Sequence, residues 1–77
     1  MTATAGSLKV AQRKLGYRIR TLRRQRGWTQ KQFARACGLH KSHMSEVERG
    51  SNVSLSTIGV IARRLNSTIA DLFEGVA

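Results

Sequence analysis

Acidic residues are scarce in this 77-residue chain, where four Asp and Glu stand against fourteen Lys and Arg, giving a formal net charge of +10. Cysteine is almost absent, and the single Cys37 excludes an intramolecular disulfide framework and suits a reducing compartment. No apolar run approaches the roughly 20 residues of a membrane span, and the first residues lack the basic-then-apolar order of a secretory signal. We therefore expect a soluble, cytoplasmic protein with no membrane partner.

The length of the chain predicts one small domain rather than two. Apolar residues make up 40% of the sequence, which is enough for a core. Residues 1–6 are small and polar with nothing to bury, so we predict a flexible arm there, followed by a folded domain over residues 7–77. The sequence contains no strand-like alternation, no internal repeat and no linker.

The positive charge is concentrated in the first part of the chain. Residues 1–45 contain eleven basic and no acidic residues, whereas residues 46–77 contain three basic and all four acidic residues. Such a distribution predicts a polyanionic partner, above all nucleic acid. The alternative is a solvated cationic surface kept for solubility, but a mixture of both signs would serve solubility better.

Apolar residues recurring every three or four positions predict five helices. Gly27, Gly38 and Gly50 are placed to end the first three, because glycine readily takes the left-handed conformation found at helix ends. Helix starts are predicted at Ser7, at Thr29 with Gln32 as a capping box, at about residue 40, at Ser54, and at Thr68 with Asp71. The residues predicted to face the core are Leu8, Ala11, Leu15, Ile19, Leu22, Phe33, Ala34, Cys37, Leu39, Met44, Val47, Leu55, Ile58, Ile61, Ala62, Leu65, Ile69, Leu72 and Phe73.

Residues 34–47 have the features of two helices joined by a sharp turn. Such a unit needs a small residue where the helices meet, a glycine in the turn and apolar residues that hold the second helix. Ala34, Gly38, Leu39, Met44 and Val47 supply these in order. With "TQ" opening the second helix and "ERG" closing the third, the sequence resembles the helix-turn-helix domains of the Cro and phage-repressor type over residues 15–73.

The resemblance implies an all-α, compact five-helix bundle that binds double-stranded operator DNA as a homodimer and regulates transcription as a repressor or a dual activator–repressor. The third helix would lie in the major groove. His40 departs from the family pattern, which usually has Ser, Thr or Asp as the N-cap there. The predicted base-reading residues are His40, Lys41, Ser42, His43 and Glu46, which stand at the start of the third helix and are not needed for packing. A pairing of Glu46 with His43 or Arg49 along its own helix is the alternative.

The resemblance implies phosphate contacts at three further residues and an internal ion pair between two others. Gln30 lies in the first turn of the second helix, where similar domains use a Gln to hold phosphate, and Arg49 and Ser51 are weaker candidates. Arg23 and Glu48 match positions that form an ion pair in related repressors, with Arg49 or Arg24 as the alternative partners of Glu48. Lys14, Arg20 and Lys31 are expected to lie too far round the surface to contact DNA directly.

Four apolar residues predict a self-complementary dimer interface. They are Val60, off the core stripe of the fourth helix, and Ile69, Phe73 and Val76 near the C-terminus.

The sequence also resembles the controller proteins of restriction–modification systems. An antitoxin that binds a toxin protein as well as DNA is the alternative, and RNA polymerase is a further partner that a regulator of this kind can have.

Enzyme, metal-binding and membrane-surface functions are not favoured. Cys37, His40 and His43 are spaced by threes, but Gly38 breaks the helical register between them and no fourth zinc ligand is apparent. Asp71 and Glu74 have no His near in sequence and a short helical chain has little room for a closed pocket, so we expect no catalysis and no cofactor. The basic residues of the first helix are scattered around it, unlike those of a membrane-surface helix.

Overall fold

The computed structural model describes residues 5–74, which form five helices and no strand within that range. The helices are α1 (Ala5–Gln25), α2 (Gln30–Ala36), α3 (Lys41–Glu48), α4 (Leu55–Arg64) and α5 (Ile69–Phe73). The predicted all-α bundle of five helices is confirmed. The first helix begins two residues earlier than predicted, and residues 1–4 of the predicted arm lie outside the described part of the chain.

Local capping chemistry sets the ends of the helices. The Thr29 hydroxyl accepts a hydrogen bond from the Gln32 backbone N–H at 3.0 Å, and the Gln32 side-chain oxygen accepts one from the Thr29 backbone N–H at 2.9 Å. Gly27, Gly38 and Gly50 have φ angles of 76°, 71° and 96°. The predicted capping box and the three predicted glycine stops are therefore confirmed.

The last helix begins with a second capping box. The Thr68 hydroxyl accepts from the Asp71 backbone N–H at 3.1 Å, and the Asp71 carboxylate accepts from the Thr68 backbone N–H at 3.0 Å. The hydrogen bond that the Thr68 backbone N–H donates to the carboxylate, and after it the interaction with the Thr68 side chain, lower the pKa of the Asp71 carboxyl below its ordinary value. Arg18 of α1 donates to the Asp71 carbonyl oxygen at 3.4 Å, and this contact ties α5 to the first helix.

One hydrophobic core joins all five helices. Its fully buried large side chains are Phe33, Ile19, Met44, Ile61, Leu65 and Leu72. Two predicted core positions were wrong, because Leu8 is 57% exposed and Leu55 is 67% exposed. Each stands at the beginning of its helix, on the correct stripe but beyond the reach of the core. Ile69 and Phe73 were also predicted to face inward, and those two predictions were wrong as well, because both side chains are exposed.

Helix α1 lies unusually close to the end of α3. A Cβ atom placed on Gly16 would stand 2.6 Å from the carbonyl oxygens of both Val47 and Glu48. On the other side of the contact, a Cβ on Gly50 would stand 2.9 Å from the Arg13 Cα. Two glycines thus allow two backbones to touch, and this contact fixes α3 against the first helix.

No helix among residues 5–74 has both the length and the apolar composition needed to cross a bilayer.

Candidate nucleic-acid interface

The turn between α2 and α3 is closed by backbone hydrogen bonds. The Leu39 N–H donates to the Ala34 carbonyl at 2.8 Å, and the Gly38 N–H donates to the Arg35 carbonyl at 3.1 Å. Ala34 is 1% exposed and its carbonyl accepts the bond from Leu39, so the small residue lies buried at the turn as the sequence pattern requires. Met44 and Val47 are buried beneath α3 and fix which of its faces is turned outward.

The outward face of α3 consists of polar side chains. The five predicted base-reading residues are all exposed: His40, Lys41, Ser42, His43 and Glu46. His40 is the N-cap of α3 and makes no side-chain capping bond, which is consistent with its departure from the usual cap residues. All five are therefore accessible at the start of α3, with Ser42 and Glu46 opposite the buried Met44 and Val47, although contact with bases stays a prediction.

Arg23 and Glu48 form a nearly buried ion pair between α1 and α3. The Arg23 Nε lies 2.7 Å from Glu48 Oε2, and the Arg23 Nη2 donates to Glu48 Oε1 at 3.1 Å. The two side chains are 9% and 4% exposed. Arg23 also donates to the Trp28 carbonyl at 2.8 Å, so the guanidinium joins the loop before α2 to the end of α3. The pairing is with Arg23 rather than with the alternatives Arg24 or Arg49.

Gln30 joins this network at the start of α2. Its side-chain Nε2 donates to Glu48 Oε1 at 3.2 Å, so Glu48 accepts hydrogen bonds from two residues. Gln30 shares a shallow cleft with Arg20, Ser45 and Arg49. This bond could not be predicted from the sequence, because Gln30 and Glu48 are separated by 18 residues and lie on different helices. The residue predicted to hold phosphate is thus itself held in place by the ion pair.

The remaining predicted phosphate ligands follow α3. Arg49 is its C-cap and Ser51 comes two residues later, and both are exposed. The Ser51 backbone N–H donates to the Glu46 carbonyl at 3.0 Å, which fixes the turn. A second shallow cleft here includes Lys9, Gln12, Arg13 and Asn52, none of which the sequence analysis assigned to the site.

Apolar side chains are exposed on α4 and α5. Val60 is 41% exposed, Ile69 37% and Phe73 40%. These three of the four predicted interface residues lie in the described part of the chain, whereas Val76 lies outside it. The structure contains one copy of the chain, and a dimer through this surface stays a prediction.

Cys37 belongs to the core rather than to the polar face of α3. Burial raises the pKa of its thiol to about 11, although the positive charge of Arg64 acts in the opposite direction. The thiolate that a zinc ion would need is therefore disfavoured at neutral pH. Among residues 5–74, no three His, Cys, Asp or Glu side chains are grouped as a metal site would require.

A capped helix, a glycine turn and a second helix with a polar outer face define a helix-turn-helix protein. Residues 19–72 match the sequence profile described as helix-turn-helix, and the chain belongs to the Cro and phage-repressor type of that family.

Relatives of the chain include transcription factors and controller proteins. A hypothetical transcription factor of Neisseria meningitidis serogroup B is 42% identical over 52 residues, covering 66% of this chain and 49% of that protein. Control protein C.SmaI of Serratia marcescens is 36% identical over 59 residues, covering 75% of this chain and 70% of the relative. The chain therefore spans about half the length of the Neisseria relative.

Solved structures lead to the same family. The restriction–modification controller protein C.AhdI of Aeromonas hydrophila is 39% identical, with a TM-score of 0.75 over 78% of this chain and 92% of that chain. The predicted resemblance to controller proteins is confirmed by C.SmaI and C.AhdI.

Proposed function

We propose that this chain is a sequence-specific DNA-binding transcription regulator that acts as a homodimer on a pseudo-palindromic operator. The observation that carries the proposal is the exposed polar surface at the start of α3, where five polar side chains of the helix and its N-cap are accessible and Met44 and Val47 fix the inner face. A helix of this kind fits the major groove of B-DNA and presents its first residues to base edges. The net charge of +10 favours the same polyanion.

Three of these five residues have a specific proposed base contact, and three further residues have a proposed phosphate contact. Lys41 donates to the O6 and N7 atoms of guanine, Ser42 donates or accepts, and Glu46 accepts from the amino group of cytosine. Gln30, Arg49 and Ser51 hold phosphates on either side of the groove and so set the position of α3. The similarity to C.SmaI and C.AhdI supports a controller that regulates by occupying its operator.

Selection of bound duplexes from a random DNA pool tests the proposal directly. We expect the selected sequences to share two inverted half-sites, because a two-fold symmetric dimer presents the same α3 surface twice. A pool that yields no common sequence after repeated rounds, or that is retained no better than unselected DNA, would contradict a sequence-specific function.

Phe73→Asp is expected to weaken self-association by about tenfold or more, because two-fold symmetry would place an unpaired carboxylate in the interface twice. The wild-type protein should sediment as a dimer at tens of micromolar and bind one dimer per operator, with half-sites roughly 34 Å apart. Tyr17→Asp is the matched control, because Tyr17 is an exposed aromatic residue on α1. A wild-type protein that sediments only as a monomer would exclude the dimer, and equal association of both variants would exclude this interface.

Lys41→Ala and Gln30→Ala separate base reading from phosphate binding. We expect Lys41→Ala to lose about 1 to 3 kcal/mol of discrimination at one base position, since a base contact favours the preferred site most. Gln30→Ala should weaken all duplexes alike and leave the salt dependence nearly unchanged, because glutamine carries no charge.

Affinities of both variants for the selected operator, its single-base variants and unrelated DNA provide the measurement. Equal losses by Lys41→Ala on operator and unrelated DNA would make Lys41 a phosphate contact and remove it from the reading surface. Urea unfolding of Gln30→Ala is needed alongside, because the substitution also removes the bond to Glu48.

A further inference from the structure

Helix α1 extends well beyond the core. Among residues 7–25, whose exposure the structure describes, its first buried side chain is Leu15, so residues 7–14, about 12 Å of helix, precede the part that the core requires. Lys9, Arg13 and Arg20 recur along α1 at intervals of four and seven, which places them in one row on one side of the helix. All three are exposed. We call these three residues the α1 row.

The α1 row stands directly beside the end of α3. The Gly50 Cα lies so close to Arg13 that an added Cβ would be 2.8 Å from the Arg13 Cγ. One residue away, the Gln12 Nε2 donates to Asn52 Oδ1 at 3.4 Å. Gly16, on the same side of α1, touches the last carbonyls of α3. The row therefore runs past the point where the chain leaves the proposed recognition helix.

Two clefts make the α1 row continuous with the proposed phosphate ligands. Lys9 and Arg13 line one cleft together with Arg49 and Ser51. Arg20 lines the other together with Gln30 and Arg49. Arg49 lines both clefts, so these cations and amides form one surface along the side of α3.

The charge of this surface is almost entirely positive. Residues 1–45 contain no Asp or Glu. The nearest carboxylate in these clefts, Glu48, is neutralised by its bonds to Arg23. A surface of unpaired cations that adjoins a helix proposed for the major groove is complementary to the phosphodiester backbone along that groove.

We propose that the α1 row is a second phosphate-binding surface, through which α1 holds the DNA backbone beside the groove that α3 occupies. The inference rests on the proposed DNA-binding function and extends it, because the contacts made by Gln30, Arg49 and Ser51 belong to the helix-turn-helix itself. The α1 row would add contacts that are independent of base sequence, lengthen the protected segment of DNA and make binding more sensitive to salt.

Arg13→Gln tests the inference, with Lys14→Gln as the matched control. Both residues are exposed cations on the same turn of α1, but Lys14 points about 100° away around the helix axis. Glutamine keeps the side-chain carbons that lie against Gly50. Affinity is measured over a range of salt concentrations for a selected duplex extended by ten base pairs on each side, and for an unrelated duplex of equal length.

We expect Arg13→Gln to lower the slope of log affinity against log salt by about 0.9 per protomer, which is roughly a 3.5-fold change for each fourfold rise in salt. The loss should be equal on the selected and unrelated duplexes, and Lys14→Gln should keep the wild-type slope. Lys9→Gln, farther from Gly50 along α1, repeats the test if Arg13→Gln lowers the unfolding midpoint.

Three outcomes separate this inference from the proposed function. Equal slopes for the Arg13, Lys9 and Lys14 variants, with tight wild-type binding to the selected duplex, would overturn the inference alone. Equal binding of the wild-type protein to selected and unrelated DNA would reject sequence-specific function and leave the slope comparison valid on either duplex. Absence of any duplex binding would reject both.

Discussion

Glu48→Ala is expected to lower the free energy of unfolding by roughly 3 to 5 kcal/mol, the usual cost of removing one partner of a buried ion pair. Arg23 would stay in a site where its side chain is 9% exposed, with the Trp28 carbonyl as its remaining bond. A domain of this size has little more than about 3 to 5 kcal/mol of stability to lose. The variant should therefore be substantially unfolded at 25 °C, which helicity by circular dichroism and urea titration will measure.

Glu46→Ala is the matched control for this prediction. Glu46 lies two residues earlier on the same helix, and its side chain is exposed. Its replacement by alanine removes the same charge as Glu48→Ala does. It should change stability by less than about 1 kcal/mol. If the two variants had the same unfolding midpoint, the Arg23–Glu48 pair would be solvated and of little energetic value. Glu48→Ala also removes the acceptor of the Gln30 side-chain amide, so any folded fraction of that variant should bind DNA less tightly.

The helix boundaries could be predicted because the signals that set them are local. Thr29 and Gln32 are three residues apart and satisfy each other's backbone groups, and Gly38 and Gly50 adopt positive φ at the stops that the sequence indicated. Apolar periodicity is local in the same sense. It identified the apolar stripe of α1 that contains Ile19 and that of α4 that contains Ile61, and both side chains are fully buried.

Periodicity alone does not reveal how far along a helix the core extends. Leu8 and Leu55 continue the stripes of α1 and α4, yet both are exposed, whereas Leu15 and Ile58 farther along the same stripes are buried. Their exposure depends on where the other helices end, which is a property of the assembled fold. The same reason explains why the extension of α1 past the core was not anticipated.

The outward face of α3 could be predicted because the sequence identifies the residues of its inward face. Once Met44 and Val47 are assigned to the core, the 3.6-residue period turns Ser42 and Glu46 outward. Contacts between distant segments could not be predicted in this way. The Gln12–Asn52 bond spans 40 residues, and neither residue carries a sequence signal for the other.

Gly16 illustrates the difference between local and tertiary information. In sequence terms it only weakens α1, and Ala there should raise helix stability by about 1 kcal/mol. In the structure it is buried where α1 meets the end of α3. Because of this contact, we expect alanine at position 16 to lower the stability of the protein. Gly16→Ala therefore compares the gain in helix propensity with the cost of the clash between α1 and α3.

Gly16→Ala is expected to destabilise the protein by about 1 to 3 kcal/mol or more, in spite of the gain in helix propensity. The new Cβ would stand 2.6 Å from the carbonyl oxygens of Val47 and Glu48, and backbone atoms cannot move aside as a flexible side chain can. Relief requires α1 and α3 to separate, which would also displace the proposed recognition helix. The midpoint of urea unfolding and the affinity for the operator should therefore both decrease.

Gly59→Ala is the control, since it makes the same chemical change in the interior of another helix. A Cβ on Gly59 would meet the Ile69 Cδ1 at 3.9 Å, an ordinary van der Waals contact. We expect this variant to be stabilised by about 0.4 to 1 kcal/mol, because alanine restricts the unfolded chain and favours the helix. The two substitutions should thus have opposite signs at equal protein concentration. Stabilisation by both would mean that α1 and α3 are not in backbone contact at Gly16, and the position of α3 would then depend on the Arg23–Glu48 pair and the core alone.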